Sequence, residues 1–253
     1  MQRICYLGCW IFPVCLLALV ATDAFTADVP AVKPSTYAPA KDLIAQVNYF
    51  LERIETDLED PDEYLDEHQK RVAMDANTVA ALAAVLGVHD EEHGLKAGAP
   101  ALVQHAKGLA KNVKDHAAAK AELAKAKQAL QVTSGGGKVG LAGSGDLGQL
   151  MKQVPIVNNS LRSGVTGTRF ERLKEKSAAT AATLAAIAEV SAYDDSYCVE
   201  DDDLEKWQKI CYDMRDASAA VAKATRAGDQ ETAKKHLDRL VQTCDDCHHA
   251  FRD

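Results

Sequence analysis

Residues 41–58 read KDLIAQVNYFLERIETDL, and the spacing of their apolar members decides the fold class. Leu43, Ile44, Val47, Phe50, Leu51, Ile54 and Leu58 recur at intervals of three and four. That period sets them on one stripe of an α-helix, whereas a strand would alternate. Asp60-Pro61-Asp62 then interrupts the pattern. The same period predicts a second helix over about 68–88, with Val72, Val79, Leu82, Val85 and Leu86 on its buried face. A third begins near Pro100, a residue suited to the first helical turn, and a fourth covers about 115–131. Four more are expected at about 146–161, 168–191, 203–226 and 229–249. Few aromatics and abundant alanine favour close-packed helices over sheets. The expected fold is all-α: two tandem antiparallel four-helix bundles.

Punctuation between the helices sets the boundaries. Residues 25–40 hold Pro30, Pro34 and Pro39 among small polar residues and read as a flexible lead-in. The first bundle is expected over 41–132. Residues 133–146, with Gly135, Gly136, Gly137, Gly140, Gly143 and Gly145, read as a linker, and the second bundle follows over 147–253. The halves resemble each other. Leu43-Ile44-Ala45-Gln46-Val47 matches Leu150-Met151-Lys152-Gln153-Val154, and Leu82-Ala83-Ala84-Val85 matches Leu184-Ala185-Ala186-Ile187. Asp115, Ala119, Lys120 and Leu123 fall on Asp229, Ala233, Lys234 and Leu237 without a gap. Three matched segments in one order point to duplication of a four-helix unit.

The first residues carry a positive Arg3, an apolar run from Ile4 to Val20 and small residues around Thr22-Asp23-Ala24. This is the layout of a secretory signal over 1–24, with an uncleaved membrane anchor as the competing reading. The net charge of -8 disfavours nucleic acid and anionic lipid as partners. Cys5, Cys9 and Cys15 lie in the signal, so an exported chain keeps Cys198, Cys211, Cys244 and Cys247. In an oxidising compartment each thiol needs a partner or a chemical role.

Cys244-Asp245-Asp246-Cys247-His248 supplies that role for two of them, because C-x-x-C-H is the pattern of covalent c-type haem attachment. Each thiol adds to one haem vinyl group as a thioether, and the adjacent imidazole becomes the proximal iron ligand. On a helix these three positions share one face and continue the stripe of Leu237, Leu240 and Val241, so the motif is expected to face the core. A redox-active C-x-x-C would sit in a βαβ setting, which is absent, and a zinc site would need a second ligand pair.

The run from Cys244 to His248, followed by His249, Ala250, Phe251 and Arg252 at the very end of a four-helix bundle, resembles the class II cytochromes c, which include cytochrome c prime. In that family the motif lies on the last helix and is followed by an aromatic residue and an arginine. Gly228-Asp229 and Trp207 extend the resemblance, which runs loosely over 146–253. It implies one covalent haem c held by Cys244, Cys247 and His248, with Phe251 and Arg252 beside it. It also implies a distal residue on the first helix of the bundle, where Met151 looks like the match. A ligating thioether there suits electron transfer with a redox partner protein. A non-ligating Met151 leaves iron open to nitric oxide or carbon monoxide. Pro155 removes the hydrogen bond to the Met151 carbonyl and is expected to bend that helix.

In the first repeat the aligned positions hold Leu130, Thr133 and Ser134 in place of the motif and Ile44 in place of Met151, so that bundle is expected to be haem-free. The chain then reads as a periplasmic electron carrier without substrate turnover. A gas-binding cytochrome and a helical interaction protein without redox role are the alternatives. Class II cytochromes often pair, so a homo-oligomer or an intrachain pseudo-dimer is expected.

Weaker signals remain. Gly143-Ser144-Gly145-Asp146-Leu147-Gly148 has the letters of a dinucleotide loop but no preceding strand. His89, Glu92 and His93 have those of an inverted zinc-protease motif, with a solvated helix end as the plainer reading. His105 and His116 read as surface residues. Cys198 and Cys211 are expected to pair as a disulfide, which would leave no stray thiol during haem attachment.

Overall fold

The computed structural model describes residues 32–200 and 202–252, so the proposed signal over 1–24 lies outside the described residues. Among the described residues the long helices are α1 (Ala40–Asp57), α2 (Gln69–Gly87), α3 (Ala99–Lys111), α4 (His116–Ala129), α5 (Leu147–Thr166), α6 (Phe170–Ser191), α7 (Asp203–Arg226) and α8 (Gln230–Phe251), and none of the described residues is in a strand. Aspartates cap three of them. Asp115, Asp146 and Asp229 each accept the backbone N–H three residues on, at 3.0, 2.8 and 3.0 Å, satisfying a donor that the helix start leaves open. Gly228, at φ 77°, makes the left-handed turn that joins α7 to α8. Pro155 lies inside α5, which continues through it to Thr166.

Within each half the helices close a ring. α1 packs on α2, α2 on α3, α3 on α4, and α4 returns to α1; α5 to α8 repeat that order. The two rings then pack face to face, α2 against α5 and α6, and α1 against α6. This second contact explains a departure from the expected one-sided stripe. Every residue of α2 from Asp75 to Leu86 is buried, as is every residue of α6 from Ser177 to Ser191. A helix covered on all sides must be apolar all round, and the alanines at 80, 81, 83 and 84 let its neighbours approach closely.

Polar residues on these buried faces are paired across the boundary. Asp75 is fully buried and receives both Nε (2.6 Å) and Nη2 of Arg53, and Gln153 Nε2 from the other bundle donates to it at 3.2 Å. Thr183 Oγ1 donates to Gln46 Oε1 at 3.1 Å, and the Asp146 backbone N–H donates to Asn77 Oδ1 at 2.8 Å. Arg226 of α7 pairs with Asp42 of α1.

The described part of the flexible lead-in and the glycine-rich linker both pack against the helices, and residues 25–31 of the lead-in lie outside the described residues. Pro34–Thr36 of the lead-in form a short helical turn, and Tyr37 and Ala38 after it are buried. Ser35 donates to Asp90 from its N–H (2.9 Å) and hydroxyl (2.7 Å), and the Arg215 guanidinium lies 5.2 Å from the Tyr37 ring centre. In the 133–146 linker Leu141 and Ser144 are buried, and Lys107 Nζ donates to the Gly143 carbonyl at 2.6 Å.

Removing the guanidinium alone leaves a buried carboxylate unpaired. Arg53→Met is expected to lower unfolding free energy by about 3–5 kcal/mol in urea titrations. Arg53→Met combined with Asp75→Leu should recover most of that loss, since no charge is then stranded.

Candidate functional site

The chemistry-bearing residues lie at one end of the second bundle, where α7 and α8 outrun their counterparts in the first. α4 and α8 both start after a capping aspartate, but α4 has 14 residues and α8 has 22. α3 has 13 residues and α7 has 24. The overhang of α8 carries Cys244, Cys247, His248 and Phe251, and the overhang of α7 carries Trp207 and Cys211.

These overhangs, the start of α5 and the end of α6 enclose an apolar cluster. Leu147, Ala192, Trp207 and Cys211 are its buried members; Met151, Tyr193, Cys198, Tyr212, Cys247 and Phe251 pack against it half-buried. Trp207 fixes the cluster by donating Nε1–H to the Ser191 carbonyl at 2.7 Å. Phe251 meets the Trp207 ring edge-on, at 5.3 Å between centroids and 90° between planes. Cys244 packs against the main core one turn earlier, its thiol 3.7 Å from the Leu240 carbonyl. The structure thus brings Met151 and Cys247 into one cluster from different helices.

Residues 202–252, the α7–α8 pair with the motif, match the family model described as cytochrome C'. These residues are similar to that family. Among curated proteins and among solved structures nothing matches the chain. The match over the last two helices supports haem binding at this end of the chain, in line with the class II resemblance.

The residues present fit that group. Two thiols spaced by three residues on one helical face, an imidazole in the next position and a wall of apolar and aromatic side chains are the donor set and the lining that a porphyrin requires. Burial first, then the neighbouring Cys244, pushes the Cys247 thiol up to about 11; burial followed by Asp245 raises Cys244. Both therefore stay protonated at neutral pH.

Other expectations are revised. The motif does not face the core as a whole: both thiols do, but the His248 imidazole is exposed, because the last turns of α8 project beyond the other helices. Arg252 is exposed at the helix end, and its backbone N–H donates to the His248 carbonyl at 3.0 Å. Cys198 and Cys211 are free thiols rather than a disulfide. Cys211 is buried inside the cluster within electrostatic reach of Cys247 as well as Cys198, which raises its pKa further after the dominant effect of burial.

The zinc reading of His89, Glu92 and His93 fails. His89 Nε2 binds the Ala38 carbonyl at 3.0 Å, its Nδ1 accepts the Glu91 N–H at 3.1 Å, and His93 Nε2 binds the Leu86 carbonyl at 2.9 Å. Among the described residues no three metal-ligating side chains gather into a site. His105 and His116 are half-buried, held by Glu122 and the Leu58 carbonyl at 2.9 Å each. Leu147, Tyr193 and Tyr212 carried no local signal in the sequence; only the meeting of helix ends makes them part of the site.

The raised thiol pKa values have a direct readout. In the haem-free chain at pH 8, iodoacetamide should alkylate Cys247 about a hundredfold more slowly than free cysteine, since only the thiolate reacts. Its rate should keep rising until pH reaches about 11. A plateau near pH 9 would contradict the burial seen here.

Proposed function

We propose that the chain is an exported c-type cytochrome that carries a single covalent haem and acts in electron transfer. One observation carries the reading: Cys244 and Cys247 approach, from α8, the apolar end of the bundle into which α5 delivers Met151. Haem, when bound, supplies one-electron iron chemistry. Cys244 and Cys247 would anchor it through thioethers, and His248 would give a ring nitrogen to iron on the proximal side. Met151 is the candidate distal donor. Leu147, Trp207, Tyr193 and Phe251 would exclude water and hold the macrocycle in a low-dielectric setting.

The first bundle supports this role without chemistry of its own. Its α4 ends at Ala129, so Leu130, Thr133 and Ser134, the counterparts of the motif, lie beyond the helix. It covers α5 and α6 and keeps them in register. Export is supported by the character of residues 1–24. No helix among the described residues is long and apolar enough to cross a membrane. The chain is read as a carrier without substrate turnover.

A pyridine haemochrome assay on the exported protein should report one covalent haem per chain. Replacing both Cys244 and Cys247 by Ala should abolish covalent attachment. An absorption spectrum then separates the two cytochrome readings. A low-spin spectrum that turns high-spin in Met151→Ala supports Met151 as ligand and the carrier role. A high-spin spectrum in the unaltered protein that shifts with nitric oxide supports gas binding.

A further inference from the structure

Residues 194–200 run along the cluster, with Cys198 packed against it. Tyr197 stacks on Trp207, with 6.1 Å between centroids and 19° between planes. Trp207 in turn meets Phe251 and shares the cluster with Cys247. Aromatic contact therefore runs from the haem-attachment turn to solvent, where Tyr197 is exposed.

Around Tyr197 lies an apolar patch. Of the seven large hydrophobic residues that are exposed among those described, Tyr197, Val199 and Leu204 fall within eight positions, and Val199 is 86% exposed. Its exposure is built in. Asp203 Oδ2 accepts the Glu200 N–H at 2.8 Å and the Val199 N–H at 3.0 Å, which holds the loop with Val199 outward. Residues 194–205 also contain seven carboxylates and no base. The adjacent cations are already paired, Lys206 with Asp202 and Lys209 with Asp213, each at 2.8 Å.

We infer that Tyr197, Val199 and Leu204, rimmed by Asp195, Glu200, Asp202 and Glu205, form the docking surface for a small basic electron-transfer protein whose own cofactor edge is ringed by lysines. An apolar centre within a charged rim is the anatomy of a specific contact, and the rim's sign selects a cationic partner. The patch is small, which suits an encounter that must dissociate after each transfer. Tyr197 belongs to the Tyr197–Trp207 stack, so docking here places the partner's edge over a continuous aromatic path to the attachment turn. This assignment rests on the electron-transfer reading above.

The test uses the full, haem-loaded chain, reduced with dithionite and mixed in stopped flow with oxidised mitochondrial-type cytochrome c, a basic protein. Neutralising the rim (Glu200→Gln, Asp202→Asn, Glu205→Gln) should slow the bimolecular rate about tenfold and flatten its dependence on salt. Val199→Ser should slow it about threefold at any salt concentration, as expected for lost apolar contact. A control with the same charge change on the first bundle (Glu52→Gln, Glu59→Gln, Glu67→Gln) should stay within about twofold of the unaltered chain. Equal slowing by both charge sets, or slowing by neither, overturns the docking surface. Amide chemical shifts of Tyr197, Val199 and Leu204 are followed in parallel as the oxidised basic cytochrome is titrated in. Shifts there without electron exchange would keep the surface and sink the electron-transfer reading. Shifts confined to other residues would overturn the surface whatever the rates.

Discussion

Two alanine-rich helices packed back to back, α2 of one bundle and α6 of the other, are the constraint on which the remaining structure depends. Each serves two cores at once, so over Asp75–Leu86 and Ser177–Ser191 neither has a face left for water. Any polar group on them must find its partner inside the protein, because an unpaired buried charge costs several kcal/mol. Asp75 meets this condition through Arg53 from its own bundle and Gln153 from the other, and Thr183 through Gln46. These pairs fix the rotation and translation of one bundle on the other. The lead-in and the glycine-rich linker then have defined surfaces to settle on, which is why Tyr37 and Leu141 are buried.

With that pairing fixed, the chemistry moves to the end of the second bundle that is left free. α7 and α8 extend well past the length of α3 and α4, and the added turns carry almost every residue of interest. Their inner faces bring Trp207, Cys211 and Cys247 together; their outer faces stay in water, His248 included. The same geometry that gives the thiols an apolar setting leaves the imidazole at the boundary.

Much of this was legible in the sequence. The 3.6-residue period set the fold class, and Asp115, Asp146 and Asp229 marked helix starts to within a residue because a capping side chain acts locally. The C-x-x-C-H motif was equally local. What escaped was non-local. Uninterrupted burial of Asp75 to Leu86 follows from a second bundle on the far side, although the absence of any charge between Asn77 and Val88 was a signal of it. Proline content suggested flexibility in the lead-in and glycine content a linker at 133–146, but Tyr37 and Leu141, with the hydrogen bonds beside them, pack the described parts of both segments. Tyr193 and Tyr212 join the site only because four helix ends converge.

The close of the first bundle has a consequence for redesign. A Cβ at Gly98 would stand 2.0 Å from the Ala129 carbonyl oxygen, so the start of α3 and the end of α4 meet backbone to backbone with no room for a side chain between them. Writing Cys, Cys and His at Leu130, Thr133 and Ser134 would place all three past the end of the helix, the last two exposed to solvent. A second cofactor in this chain demands the insertion of whole helical turns in two helices together, a step that single substitutions do not reach.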